Sequence, residues 1–187
     1  MNDASKTGDT TSASMVMGGG LGDIALPNGM FTATCTGADG QVKWVETFHN
    51  LWTTLAKSDM LDKYLAGSAY TASLFMGLKG TGTAVVGDTQ ASHAGWLEVG
   101  LANAPTYSGT RKTPAFNAAA AGVKATSAAV NFAITSTGTV AGAFINNGGT
   151  SAIDNTTGLL FSAGDFSLSR SVVSGDQINV TYQATLT

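Results

Sequence analysis

Charge is scarce in this chain. Asp, Glu, Lys and Arg make up 11% of its 187 residues, against about 25% in an ordinary soluble domain. The polar surface therefore has to be built from Thr, Ser, Asn and Gly, a composition typical of neutral surfaces that sit against other proteins or of proteins working outside the cell. Nine Lys and Arg against twelve Asp and Glu give a formal net charge of −3, and Arg111-Lys112 is the only adjacent basic pair. A nucleic-acid interface needs clustered Lys and Arg, so no direct nucleic-acid partner is expected. The single cysteine, Cys35, excludes an internal disulfide. It ends the alternating run Phe31-Thr32-Ala33-Thr34-Cys35, with no cation beside it in sequence, and reads as a small buried hydrophobe rather than a reactive thiol. No run of about 18 apolar residues is present, so no membrane span is expected. The start, Met1-Asn2-Asp3-Ala4-Ser5-Lys6, lacks a basic region followed by an apolar one. The expectation is synthesis in the cytoplasm without a secretion signal. Histidine is almost as rare as cysteine: His49 and His93 form no His-x-x-x-His pair and no Cys/His cluster. Turn or packing roles are expected for both, with no metal, cofactor or catalytic residue.

What is present is β pattern. In the closing stretch Ile178, Val180, Tyr182, Ala184 and Leu186 alternate with Gln177, Asn179, Thr181, Gln183 and Thr185, which puts one face in a core and the other in water. With Val172-Val173-Ser174-Gly175-Asp176 ahead of it, the stretch reads as strand, tight turn, strand. Residues 30–48 read as a hairpin around Gly37-Ala38-Asp39-Gly40, where Asp-Gly supplies positive φ. Then the period changes. Asn50 is a candidate N-cap, and Leu51, Trp52, Leu55, Leu61, Tyr64 and Leu65 recur at helical spacing. One helix or two short ones are predicted between about 50 and 66, ended by Gly67.

From residue 72 the strands return: 72–79, 96–99, 128–135, 139–145, 157–162, 166–172 and 177–186. Each is short and bounded by Gly, Asn, Asp or Ser, and residues 105–114 form an extended polar connection. Such spacing predicts a mainly β chain, an antiparallel, jelly-roll-like β-sandwich over residues 28–187. Residues 1–27 form a separate arm. Its first part is polar and unpatterned, but Met15, Val16, Met17, Leu21, Ile24 and Leu26 are apolar. Such an arm is either disordered or laid on a partner's surface, and its apolar content favours the second.

Other candidate chemistry is thin. Gly18-Gly19-Gly20-Leu21-Gly22-Asp23 follows no strand and lacks the Walker Lys-Ser/Thr, so it reads as a hinge. Asp154, Asp165 and Asp176 recur near turns, where single Asp residues are usually turn formers; a calcium site would need several oxygen ligands gathered together. Trp44, Trp52, Trp96 and Tyr182 read as core. Tyr107, in the polar run Thr106-Tyr107-Ser108-Gly109, is the best candidate for an exposed contact, with Arg111 beside it.

One ordered set of segments carries a resemblance. Trp44-Val45-Glu46-Thr47-Phe48-His49-Asn50-Leu51 leads to Leu61, Leu65-Ala66-Gly67 and Phe75-Met76-Gly77-Leu78. Asp88-Thr89-Gln90-Ala91-Ser92-His93-Ala94-Gly95-Trp96-Leu97-Glu98 follows, then Tyr107, Arg111, Val140-Ala141-Gly142-Ala143-Phe144 and Gly175-Asp176 with Val180-Thr181-Tyr182. Over roughly residues 40–187 this order resembles a group of small virion structural proteins of tailed bacteriophages, and the Asp88–Trp96 run is its most specific part. The resemblance implies a non-enzymatic particle component. The first expectation is a capsid decoration (cement) protein on the virion surface, made in the host cytoplasm and bound to the major capsid protein. It would be a homo-oligomer, with a trimer favoured. Its partner-binding residues would be Met15, Val16, Met17, Leu21, Ile24 and Leu26 in the arm, with Tyr107 and Arg111 in the domain. Rival expectations are a tail, collar or head-fibre component and a carbohydrate-binding adhesion module. An enzyme would need a carboxylate pair or a nucleophile with its base, and no local motif supplies one.

Overall fold

The computed structural model describes residues 27–67, 69 and 73–186. Residues 1–26, with the six candidate contacts Met15, Val16, Met17, Leu21, Ile24 and Leu26, lie outside the described residues, whereas Pro27, assigned from sequence to the arm, opens the first strand. Nine strands and one helix follow in the order β1 (Pro27–Thr36), β2 (Val42–Trp52), α1 (Thr54–Leu65), β3 (Leu74–Gly82), β4 (Trp96–Val99), β5 (Val123–Ala125), β6 (Val130–Ala133), β7 (Gly138–Asn147), β8 (Leu159–Val172) and β9 (Gln177–Leu186). The chain is mainly β and antiparallel, and its arrangement is that of a sandwich.

The strand path is β4-β3-β7-β8-β2-β1-β9-β5, with β6 also paired to β9. It divides at the β2–β8 junction. There only Asn50, Leu51 and Trp52 pair, against Gly164, Ala163 and Ser162. Beyond it the strands part, and β8 continues along β7 while β2 continues along β1. Side chains of the two halves fill the space between them. Phe166 of β8 meets Trp44 and Phe48 of β2 edge-on, with centroids 5.6 and 4.8 Å apart, a geometry that aligns ring edges with ring faces. Phe31, Met76, Leu78, Phe132, Ile145, Val172, Ile178 and Val180, drawn from both halves, complete one buried cluster.

A segment outside the named strands stitches the two halves together. Tyr107 bridges to Ile134 just beyond β6, and Lys112 bridges to Met76 of β3. Ser108 N–H donates to the Ala133 carbonyl at 2.8 Å, and Met76 and Lys112 exchange bonds of 2.7 and 2.9 Å. Gly100 makes room for this seam: its φ is +133°, and a Cβ there would lie 2.4 Å from the Tyr107 ring.

Several expectations are corrected by this arrangement. Asn50 is not a helix cap; it sits in β2, as do Leu51 and Trp52. The cap is Thr53, whose hydroxyl accepts from Ala56 N–H at 3.1 Å. A single helix follows it. The stretches 157–162 and 166–172 are one 14-residue strand, because Gly164 continues the ladder instead of breaking it. β5 carries no alternation long enough to be read from sequence. Ser174-Gly175 does turn the chain, but β8 and β9 do not pair. The turn is a corner between the two halves, and β9 lies inside the sheet between β1 and the β5/β6 pair. The 30–48 hairpin and the burial of Cys35, Trp96 and Tyr182 stand as predicted; β9 forms, but its buried residues end at Tyr182, and Leu186 is exposed.

Candidate functional site

The Asp88–Trp96 run forms a loop ahead of β4 and walls one side of an open pocket of about 380 Å³. Asp154, Asn155 and Thr156, in the β7–β8 connection, form the opposite wall, with Glu98 and Asn103 between. The loop is held from within. Asp88 Oδ2 accepts from Trp96 Nε1 and from Val85 N–H, both at 2.9 Å. Trp96 is buried, and the His93 ring stacks on it with centroids 4.0 Å apart and 20° between planes. His93 Nδ1 lies 3.1 Å from the Trp96 carbonyl oxygen. A carbonyl can only accept, so Nδ1 carries the proton in that bond and Nε2 is the acceptor of the neutral ring.

Beneath the pocket lies an ion pair with almost no exposure. Arg111 donates from Nε and Nη2 to the two oxygens of Glu98 at 2.8 and 2.6 Å, and the two residues are 2% and 3% exposed. This is the forked geometry in which guanidinium and carboxylate match best. The pair also fastens the walls. Arg111 Nη2 donates to the Asn155 carbonyl at 2.8 Å, and Glu98 Oε2 accepts from Asp154 N–H at 2.9 Å. Gln90 Nε2 reaches the same Asn155 carbonyl at 3.1 Å. Asn103 Nδ2 donates to the Glu98 carbonyl at 2.9 Å. Lys79, fully buried in β3, meets Asp165 at 2.5 Å and donates to the Gly82 carbonyl at 2.7 Å. Among the described residues Gln90 Oε1 and Arg111 Nη1 are buried without a hydrogen-bond partner.

Both Glu98 oxygens are taken, Oε1 by Arg111 Nε and Oε2 by Arg111 Nη2 and Asp154 N–H. No group of three or more His, Cys, Asp or Glu able to hold a metal occurs among the described residues. His49 lies in β2 beside Asn28, 3.4 Å from its Oδ1, and His93 lies in the loop ahead of β4. Of the three aspartates expected near turns, Asp165 lies inside β8, paired with Gly142 of β7, because the strand runs on through it, and the three go to separate tasks. Asp154 Oδ2 accepts from Ala102 N–H at 3.1 Å, Asp165 Oδ2 from Ala84 N–H at 3.0 Å, and Asp176 Oδ2 meets Lys43 at 2.6 Å.

Tyr107 and Arg111 require correction as surface contacts. Tyr107 is 4% exposed, with its ring edge-on to Phe132 at 5.0 Å, and burial pushes its phenol upward. The polar residues around it signalled exposure, but pairing with β6 turns the ring inward. Arg111 spends its charge on Glu98. Sequence reasoning named this arginine without its partner: Glu98 lies 13 residues away on a strand whose position only the folded sheet fixes.

No family model matches the chain, and no curated protein or solved structure matches it.

Proposed function

We propose that the chain is a non-enzymatic structural component of a tailed-phage virion, a decoration protein that binds the outer capsid shell through residues 1–26 and stiffens it in many copies. The observation that carries the reading is the use made of the Asp88–Trp96 run, the most specific part of the resemblance. Asp88, the Gln90 amide N–H and His93 of that run, with the buried Glu98–Arg111 pair behind it, tie the loops around the pocket to one another and to β4. That is the economy of a rigid module whose product is a surface. The scarcity of charge and the Thr/Ser/Gly-rich exterior support the same reading. In it, each copy binds the major capsid protein weakly, and association of copies, as a trimer on the shell's threefold positions, multiplies the attachment.

Cryo-electron microscopy of intact particles tests the proposal. Density for the domain on the capsid exterior is the expected result. Density on the tail, collar or a head fibre would replace the decoration role with one of those, and its absence from purified particles would end the virion reading. In particles assembled with a chain lacking residues 1–26, capsid occupancy should fall while the free domain keeps its far-UV spectrum. Unchanged occupancy would remove the arm from the mechanism.

A further inference from the structure

Helix α1 is nearly without a buried face. Ala56 is its one buried residue, while Leu55, Leu61, Tyr64 and Leu65 are 46%, 59%, 89% and 75% exposed. Leu61, Tyr64 and Leu65 stand at i, i+3 and i+4, on one face. Val85 and Val86, also about half exposed, adjoin the helix start, where Thr54 N–H donates to the Val86 carbonyl at 3.0 Å. These are six of the thirteen large apolar side chains exposed on the described residues. A helix of 12 residues is marginal in water on its own, and an apolar patch of this size marks a contact surface.

The strand register indicates what covers it. β1 runs antiparallel to β2 with Gly29 opposite Asn50, so Pro27, at the start of β1, lies at the end of the sheet where Trp52 closes β2 and α1 begins. The chain ahead of Pro27 therefore leaves the domain beside the first turn of α1. That chain carries Met15, Val16, Met17, Leu21, Ile24 and Leu26, with Asp23 its one charge between residues 15 and 26. A helix of this length spans roughly 18 Å, and twelve extended residues reach up to about 40 Å. The length between Leu26 and Met17 is therefore enough to run from the start of α1, at Leu55 and Val86, to its end at Leu61, Tyr64 and Leu65. We infer that in the free protein residues 15–26 dock on the outer face of α1 of the same chain, as a strap that shelters both apolar sets. A tethered segment acts at a high effective concentration, which favours it over a second copy. The inference stands on the register and the exposed face alone and holds whether or not the chain is a virion protein.

Disulfide trapping in the full-length protein tests it. A chain carrying Leu21→Cys and Leu61→Cys, its native Cys35 being buried, should form an intramolecular bond under mild oxidation. A control pairing Leu21→Cys with Val173→Cys should not. In parallel, Leu21→Ser with Ile24→Ser should speed hydrogen exchange across residues 60–66 about tenfold and leave the β1 and β9 amides unchanged. Intermolecular dimers instead of the internal bond would make a second copy the occupant. Equal trapping in the control, or an unaltered exchange rate in α1, would also overturn the inference.

Discussion

At the residue scale, the Glu98–Arg111 pair is the most consequential contact in the domain. Removing one partner strands the other charge in a site that admits almost no water. Glu98→Ala should therefore lower unfolding stability by about 3–5 kcal/mol in urea denaturation. Glu98→Leu combined with Arg111→Met should recover much of that loss, because both charges then leave the interior together. Recovery would show as a coupling energy in a double-mutant cycle. A second residue-scale effect concerns pH. Burial pushes the Asp176 carboxyl upward, but the hydrogen bonds from Lys43 and Val173 N–H outweigh it and hold the group below 3.8. The hydrogen bond from Lys43 to that carboxylate holds the lysine above 10.5. A depressed carboxylate stabilises the fold above its unfolded pKa, and that contribution is lost as pH falls through the folded value. Asp176→Asn should accordingly flatten the acid limb of the stability profile below about pH 4. The raised lysine works in the opposite sense, its contribution fading as pH climbs past 10.5. The thiol of Cys35 is pushed up to about 11 by burial and by Asp176. Native protein at pH 8 should resist alkylation that unfolded protein undergoes readily.

At the element scale, α1 depends on its cap residue and on the strand beside it. Thr53 is fully buried; its hydroxyl accepts from Ala56 N–H and donates to the Leu160 carbonyl of β8 at 2.6 Å. One side chain thus both starts the helix and pins it to the sheet. Thr53→Ala should cost about 2 kcal/mol, at the upper end for a lost cap, with circular dichroism showing the helix reduced and the strands retained. The apolar residues that announced this helix are the ones it leaves exposed, Leu61, Tyr64 and Leu65. Helical spacing revealed that a helix forms. It did not reveal that the face so marked points away from the described domain. The boundary error has a related cause: Leu51 and Trp52 fit both periods, and pairing with Ala163 and Ser162 assigned them to β2.

At the scale of the whole molecule, the two sheet halves are joined by the three-residue β2–β8 junction at one side and the Tyr107–Lys112 seam at the other. Gly100→Ala tests the seam. It combines a φ of +133° with a Cβ 2.4 Å from the Tyr107 ring, and the urea midpoint should fall by an amount equivalent to more than about 2 kcal/mol.

The sequence by itself determined which segments become strands wherever alternation ran long enough, as in β1, β2 and β9, because a period of two can bury one face only in a sheet. It also determined the burial of Cys35 and the dominance of β structure. Tertiary structure alone decided which strands are neighbours: β8 and β9 adjoin in sequence yet belong to different halves. It alone joined Glu98 to Arg111 and Lys79 to Asp165, and turned Tyr107 inward. Periodicity reports a residue's local direction. The identity of what it meets there depends on pairings between distant segments, and in a chain this poor in charge those pairings set where each ion pair can form.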